Sequence, residues 1–474
     1  MSVTVVFLIN FLGPIPLKWN RSQKEFILYQ GGEPEKFIFG WMVLAKNKRG
    51  DEKMRKIVMS VCLSLLIFSS MVMAAPVKLS FWHMETMEPR KSTLETMVNE
   101  FNRLYPEIEI EAMGIDPSIY MQKIQTAMAG AQEPDLFMFW GGGKLKPYVE
   151  AGKIAKITED FASDHNWKSR FLPGVLGVYT FDQEIYAVPG EFQSIVMYYN
   201  KEIFKQAGLT VPKTMADLEE AIKVLKGQQV IPIAYPGKES WIGEYYYDYL
   251  TIRLAGPELF ANIINGESNF SQDVFIEAGN KIVDLINLGA FPPGYQGVDY
   301  MTAQTLFVTG KAAMYLQGSW AIGEFMDKER MPEGFTQRVG LMNFPVFAEG
   351  KGDPTTLIGG AGMGYVMTEK CSNKSAGLKF MKWITEKPQA IFKSESVGFL
   401  TGVDIKLDPN KVSPLLLDFS EMVSGAARIS PYFENVFSPA VKNAHLNAVG
   451  KIFAKSARPE EAVQLINKAL AEEL

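Results

Sequence analysis

The sequence predicts a layered α/β protein built as two lobes, with mostly parallel sheets. Short β-type runs alternate with amphipathic helical runs along most of the chain. The 400 residues that follow Ala74 are too many for one compact core and enough for two. No internal repeat or low-complexity tract interrupts the alternation.

Taken in order, Val77 to Phe81 is a short β-type run. The helix after it places Leu94, Met97, Val98, Phe101 and Leu104 at three- and four-residue spacing. Ile108, Ile110 and Ala112 then alternate with Glu. A second helix carries Tyr120, Ile124 and Met128, and Leu136 to Trp140 reads as a buried strand. Thr214 and Asp217 form a capping box for a helix with Met215, Leu218, Ile222 and Leu225 on one face. Ile231 to Tyr235 is strand-like, Trp241 to Ala255 is aromatic and helical, and Val274 to Leu288 is helical again. Beyond the Gly-rich stretch Gly359 to Gly364, strand Tyr365 to Thr368 leads into a helix through Phe380 and Trp383. The last helix spans Pro459 to Leu474.

Met54-Arg55-Lys56, the apolar run Ile57 to Met73 and the pair Ala74-Ala75 have the layout of a secretory signal peptide. Four serines dilute the run, which sits at the short end of a bilayer span. Residues 1–53 show no sustained period and read as an upstream extension, with the native start at Met54. The expected product begins at Ala75, carries a net charge of −10 and retains one cysteine, Cys371. An acidic surface argues against nucleic acid or anionic membrane as partner. With one thiol no internal disulfide can form, and no cysteine follows the cleavage site to take a lipid. A free periplasmic monomer is the expectation.

The familiar catalytic signatures fail. There is no HExxH, no GxSxG and no P-loop, since Lys144 after Gly141 to Gly143 is followed by Leu145. Gly360, Gly362 and Gly364 give a GxGxG string that runs into a strand, where a dinucleotide site needs a helix. His83 with Glu85 reads as a solvated loop pair rather than half a metal site. No cofactor or metal is expected. Aromatics say more. Trp140 ends a strand at a glycine run, Trp241 opens a segment with Tyr245, Tyr246, Tyr247 and Tyr249, and Trp320 follows Gly318-Ser319. Strand ends of open α/β sheets are where ligands bind. A flat ring there suits the C–H faces of a sugar, while each tryptophan taken singly is as consistent with core packing.

Five ordered stretches resemble one family over nearly all of the expected product. These are LSFWHMET, EPDLFMFWGGGKLKPYVEAGKIAKIT, IYAVPGEFQSIVMYYNKEIFKQAGL, LFVTGKAAMYLQGSW and GGAGMGYVM. They are similar to segments of the extracellular solute-binding proteins of carbohydrate ABC transporters, the maltose-binding-protein-like family. The resemblance implies a type II periplasmic binding fold with an interlobe cleft and hinge crossings near Val196 to Asn200, Gly362 to Tyr365 and Ser424 to Arg428. The corresponding parts are 75–198 and 364–424 for the first lobe, and 199–363 and 425–474 for the second. It further implies that Trp140, Trp241 and Trp320 stack on sugar rings and that Glu85, Glu191 and Gln193 meet hydroxyls. Phe437 would belong to a C-terminal aromatic ligand loop, although Ser438 follows it where a second aromatic would stand.

On this reading the protein captures a sugar, expected to be an oligosaccharide, and delivers it to membrane permease subunits. Two other readings stay open from sequence. One is a binder of a non-sugar solute such as a polyamine or phosphodiester. The other is a periplasmic glycoside hydrolase using Glu191 with Asp248 or Glu244.

Overall fold

The computed structural model describes residues 17–20, 25–30, 33–35 and 75–472, apart from Pro173, Asn265 and Lys328. The chain divides into two compact units, residues 1–73 and 74–474. In the first, Leu17–Asn20, Glu25–Gln30 and Glu33–Glu35 pair as a small antiparallel sheet, which the aperiodic sequence there does not announce. The proposed signal segment, Met54 to Ala74, lies outside the described residues.

The second unit is a two-lobed α/β structure with one five-stranded and one six-stranded sheet. The first sheet runs Ile108–Gly114, Val77–His83, Leu136–Trp140, Met363–Met367, Ala187–Pro189. The second runs Ile231–Ala234, Ala312–Gly318, Phe192–Asn200, Leu357–Ala361, Ile429–Ser430, with Val339–Met342 also paired to the central strand. Helix positions follow the periodicities closely: Arg90–Leu104 buries Leu94, Met97, Val98 and Phe101, and the capping box at Thr214 and Asp217 is formed.

Both sheets are mixed rather than mostly parallel. Val77–His83 is parallel to both neighbours, but Met363–Met367 is antiparallel to Leu136–Trp140 and to Ala187–Pro189. Phe192–Asn200 is likewise antiparallel to its partners. The reversed strands are those joined to the other lobe. A strand entering a sheet from the far side cannot share the direction set by the local βαβ units.

The chain passes between the sheets at Gly190–Glu191 and again at Gly362. Strand Phe192–Asn200 lies wholly in the second sheet, so the first passage precedes the expected Val196 to Asn200. The two passages are tied together: Gly190 N–H donates to the Met363 carbonyl at 3.0 Å and Gly362 N–H to the Glu191 carbonyl at 2.9 Å. Tyr179, fully buried, donates its hydroxyl to the Gly362 carbonyl at 2.7 Å. Helix Pro414–Ser424, expected in the first lobe, packs on second-lobe strand Val339–Met342, so the third passage falls before Pro414.

Aromatic side chains fill both cores. In the first lobe Phe101 and Phe81 each meet Phe380 edge-on, at 5.0 and 5.4 Å between centroids. In the second, Tyr235 stacks on Phe453 at 4.7 Å and Tyr249 on Phe344 at 4.8 Å. Helix Ser240–Ala255 is buried on every side from Ile242 to Arg253. Tyr246, Tyr247 and Tyr249 are therefore core residues. Each such ring contributes about 1.5–3 kcal/mol by leaving water.

Candidate functional site

A cavity of ≈ 510 Å³ opens between the lobes, within the range of small-molecule sites. Trp140, Trp241 and Trp320 all line it, as do Glu85 and Gln193. Trp140 arrives from the first lobe at the last position of its strand, opposite Met363 in register. The Lys144 ammonium lies 4.6 Å from the centre of its ring.

The other two tryptophans form a corner on the second lobe. Their centroids are 6.0 Å apart with planes at 54°, and Tyr300 stacks beside Trp241 at 6.1 Å. Trp320 sits at the start of helix Trp320–Glu324 and folds back over Gly318, where a Cβ would come within 2.0 Å of the indole. Only glycine leaves room for the ring in that place. Trp320 Nε1 donates to the Tyr300 hydroxyl at 3.1 Å, and Tyr300 donates in turn to Glu324, its oxygen 2.9 and 3.1 Å from the two carboxylate oxygens. Gln304 Nε2 also donates to Glu324. Burial raises the Glu324 carboxyl above its usual range against these hydrogen bonds and the field of Arg90. The Trp320 indole is thus fixed in orientation by a polar chain at the cavity wall, and Trp241 is stacked beside Tyr300 of that chain.

Beside the cavity lies a buried ion cluster that joins the lobes. Arg90 grips Glu85 with two guanidinium nitrogens and donates through Nη2 to Glu191 Oε1 at 2.7 Å. Lys393 Nζ stands 3.5 Å from the same Glu191 oxygen. Gln193 Nε2 donates to Glu191 Oε2 at 2.9 Å. A Cβ on Gly362 would meet the Gln193 side chain at 2.5 Å, so the second passage carries glycine where this amide lies. Burial would raise the Glu85 carboxyl, but the adjacent Arg90 guanidinium outweighs it and holds the group down at about 2. Burial also works against the charge on Arg90 and Lys393. The surrounding carboxylates, with Tyr365 for Lys393, more than offset it.

Two expected site residues are not at the cavity. Glu191 is fully buried in the ion cluster. Phe437 packs in the second-lobe core, 4.4 Å from Phe433 and 5.8 Å from Phe270, because the short helix Phe433–Val436 turns it inward. From the same stretch it is Tyr432 that lines the cavity. Glu244 and Asp248 lie inside the second lobe and not on the cavity wall. His83 is buried rather than solvated, and its Nδ1 accepts the Glu85 N–H at 3.2 Å. Tyr245, Tyr300, Glu324 and Arg90 were not singled out as ligand contacts by sequence reasoning. A usable signal existed for two of them: Tyr300 with Gln304, and Trp320 with Glu324, each sit four apart on one helical face.

A two-lobed α/β protein with an aromatic-lined interlobe cavity is a solute-binding architecture. Residues 85–391 match the family described as bacterial extracellular solute-binding protein, and the chain belongs to that family. An uncharacterized ABC transporter extracellular-binding protein of Pyrococcus horikoshii is 24% identical over 83% of this chain and 86% of its own length. The maltotriose-binding protein of Pyrococcus abyssi is 25% identical over 74% of this chain and 72% of its own. A solved structure from work on xylan utilization by the thermophilic bacterium Caldanaerobius polysaccharolyticus superimposes with a TM-score of 0.77. It is 30% identical and covers 83% of this chain and 99% of its own.

The ion cluster sets an acid limit. A carboxyl whose folded pKa lies at about 2, below its ordinary value near 4.3, stabilises the fold above the ordinary value. That contribution is lost as pH falls toward 2. Urea unfolding between pH 6 and pH 3 should show stability falling with acid, and Glu85→Gln should flatten that slope while costing roughly 3–5 kcal/mol at pH 6. Equal slopes in the two proteins would remove Glu85 from the account.

Proposed function

We propose that this protein is the substrate-capturing component of an ABC importer, and that its ligand is a saccharide, of oligosaccharide size. One observation carries the reading: three tryptophans from both lobes, Trp140, Trp241 and Trp320, line a single interlobe cavity. Indole faces offer apolar planes for sugar C–H groups. Glu85, Gln193, Glu324 and Tyr300 add acceptors and donors at the edges for hydroxyls. The maltotriose-binding name of one relative points to the same ligand class. Lobe closure around the ligand would present the loaded form to the permease.

Binding without turnover is the second part of the proposal. Glycosidic cleavage with Glu191 and Glu244 or Asp248 would require two carboxylates flanking the bond, and none of these three lines the cavity. Phe437 is withdrawn as a ligand contact and Glu191 becomes the residue that orients Gln193. We place the working protein outside the cytoplasm as a monomer without a lipid anchor, with cleavage after Ala74. Among the described residues no helix is long and apolar enough to cross a membrane. N-terminal sequencing of the envelope fraction should read from Ala75, and a secreted protein that keeps Met1 would refute the cleavage site.

The ligand claim is tested by replacing each tryptophan. A thermal-shift screen against malto- and xylo-oligosaccharides identifies a binder, since a ligand at a hundred times its Kd adds roughly 2.7 kcal/mol. Trp140→Ala, Trp241→Ala and Trp320→Ala should each weaken that saccharide by roughly 1.5–3 kcal/mol and leave unliganded melting nearly unchanged. Chromatography after prolonged incubation should recover the saccharide intact. Collapsed melting with normal affinity in the folded fraction would make these packing residues, and cleavage of the saccharide would make the protein a hydrolase.

A further inference from the structure

Behind the aromatic wall of the cavity, three metal-type donors converge in the second-lobe interior. Glu244 and Asp248 sit one helical turn apart on Ser240–Ala255, and His445 faces them from helix Pro439–Phe453, which packs against the first. All three are buried, at 0%, 1% and 0% exposure. One ligand atom from each lies within 4.8 Å of the others. From this arrangement we propose a structural site for a divalent transition cation of the zinc type, held by Glu244, Asp248 and His445.

Four considerations support it. First, His445 is fully buried, yet neither of its ring nitrogens makes a hydrogen bond among the described residues. A buried imidazole in a folded protein ordinarily satisfies its nitrogens. Second, His445 Nε2 stands 3.4 Å from Asp248 Oδ1. Two ligands held about 2.0–2.1 Å from a tetrahedral zinc are about 3.3 Å apart, so this pair already spans such an edge. Third, two carboxylates and an imidazole are the oxygen and nitrogen donors that a zinc-type cation takes from a protein. Fourth, Phe433 stacks on the imidazole at 3.7 Å and Tyr247 meets its edge at 5.4 Å, giving a dry shell.

The donor set favours zinc over calcium, which takes six to eight oxygens, and magnesium, which keeps several waters. The sequence hides the site, because Asp248 and His445 are far apart in the chain and only the four-residue step from Glu244 is local. Its consequence is mechanical. Tyr245, beside Glu244, and Leu446, beside His445, both line the ligand cavity. A cation that clamps the two helices would therefore fix the second-lobe wall against which the ligand packs, and its burial means that it enters while the chain folds.

The full chain, purified without metal-affinity steps, should contain about one zinc per molecule by elemental analysis. Unfolding in chelator and refolding in Co²⁺ should give the visible absorption of a low-coordinate nitrogen–oxygen site, and refolding with Zn²⁺ should melt at higher temperature than refolding in chelator. His445→Gln should abolish the cobalt bands. If that variant fails to fold, Glu244→Gln and the metal content of the unaltered protein decide in its place. Unaltered protein that refolds equally well with and without metal, retains no stoichiometric zinc and shows no cobalt bands would overturn the proposal and leave a polar network that shares protons.

Discussion

Arg90 holds two buried carboxylates at the point where the chain changes lobes, and the geometry of the cleft depends on that grip. Glu85 follows the first strand of the first lobe and Glu191 is part of the first passage between sheets. Lys393 brings a second cation from helix Lys387–Val397. The four side chains carry no net charge. Their burial is tolerable because each carboxylate meets a guanidinium or an ammonium, and removing any one member would strand the rest in a poor solvent for charge. Through Gln193 the cluster reaches the cavity, so one set of charges both ties the passages and presents an amide at the cavity wall.

The aromatic residues divide into two populations with different energetic roles. Tyr235, Tyr246, Tyr249, Phe344 and Phe453 are packed on one another inside the second lobe, and their contribution is to folding. Trp140, Trp241 and Trp320 are half-buried and turned to the cavity, where they leave apolar surface that a ligand can cover. The boundary runs through single helices. On Ser240–Ala255 the first turn holds Trp241, and Tyr245 one turn on lines the cavity, while the remaining tyrosines are core. Fixing the Trp320 indole through Tyr300 and Glu324, with Trp241 stacked beside Tyr300, lowers the ordering cost of binding, since that corner is already in place before a ligand arrives.

Local patterns were legible and distant partnerships were not. Apolar spacing and the capping box located the helices and most strands to within a few residues, because those signals lie within one turn or one pleat. Trp140 could be assigned to a strand end from five residues of sequence. Strand direction could not, because the reversal of Met363–Met367 and Phe192–Asn200 follows from which lobe the chain has just left. Glu191 illustrates the same limit: its cation partners are 101 and 202 residues away, so nothing local distinguishes a hinge carboxylate from a ligand carboxylate. Phe437 and Tyr432 are five residues apart in one aromatic stretch, and only the turn of a short helix sends one inward and the other to the cavity.

The central claim is that one ligand is held at once by both lobes on the three tryptophans. A crystal structure of the protein with the saccharide that most raises its melting temperature tests this most directly. The account predicts sugar rings against Trp140 on one side and against the Trp241 and Trp320 corner on the other, with the Arg90 cluster intact beside them. A saccharide bound outside the interlobe cavity, or one that touches a single lobe while Trp140 packs only against protein, would contradict it.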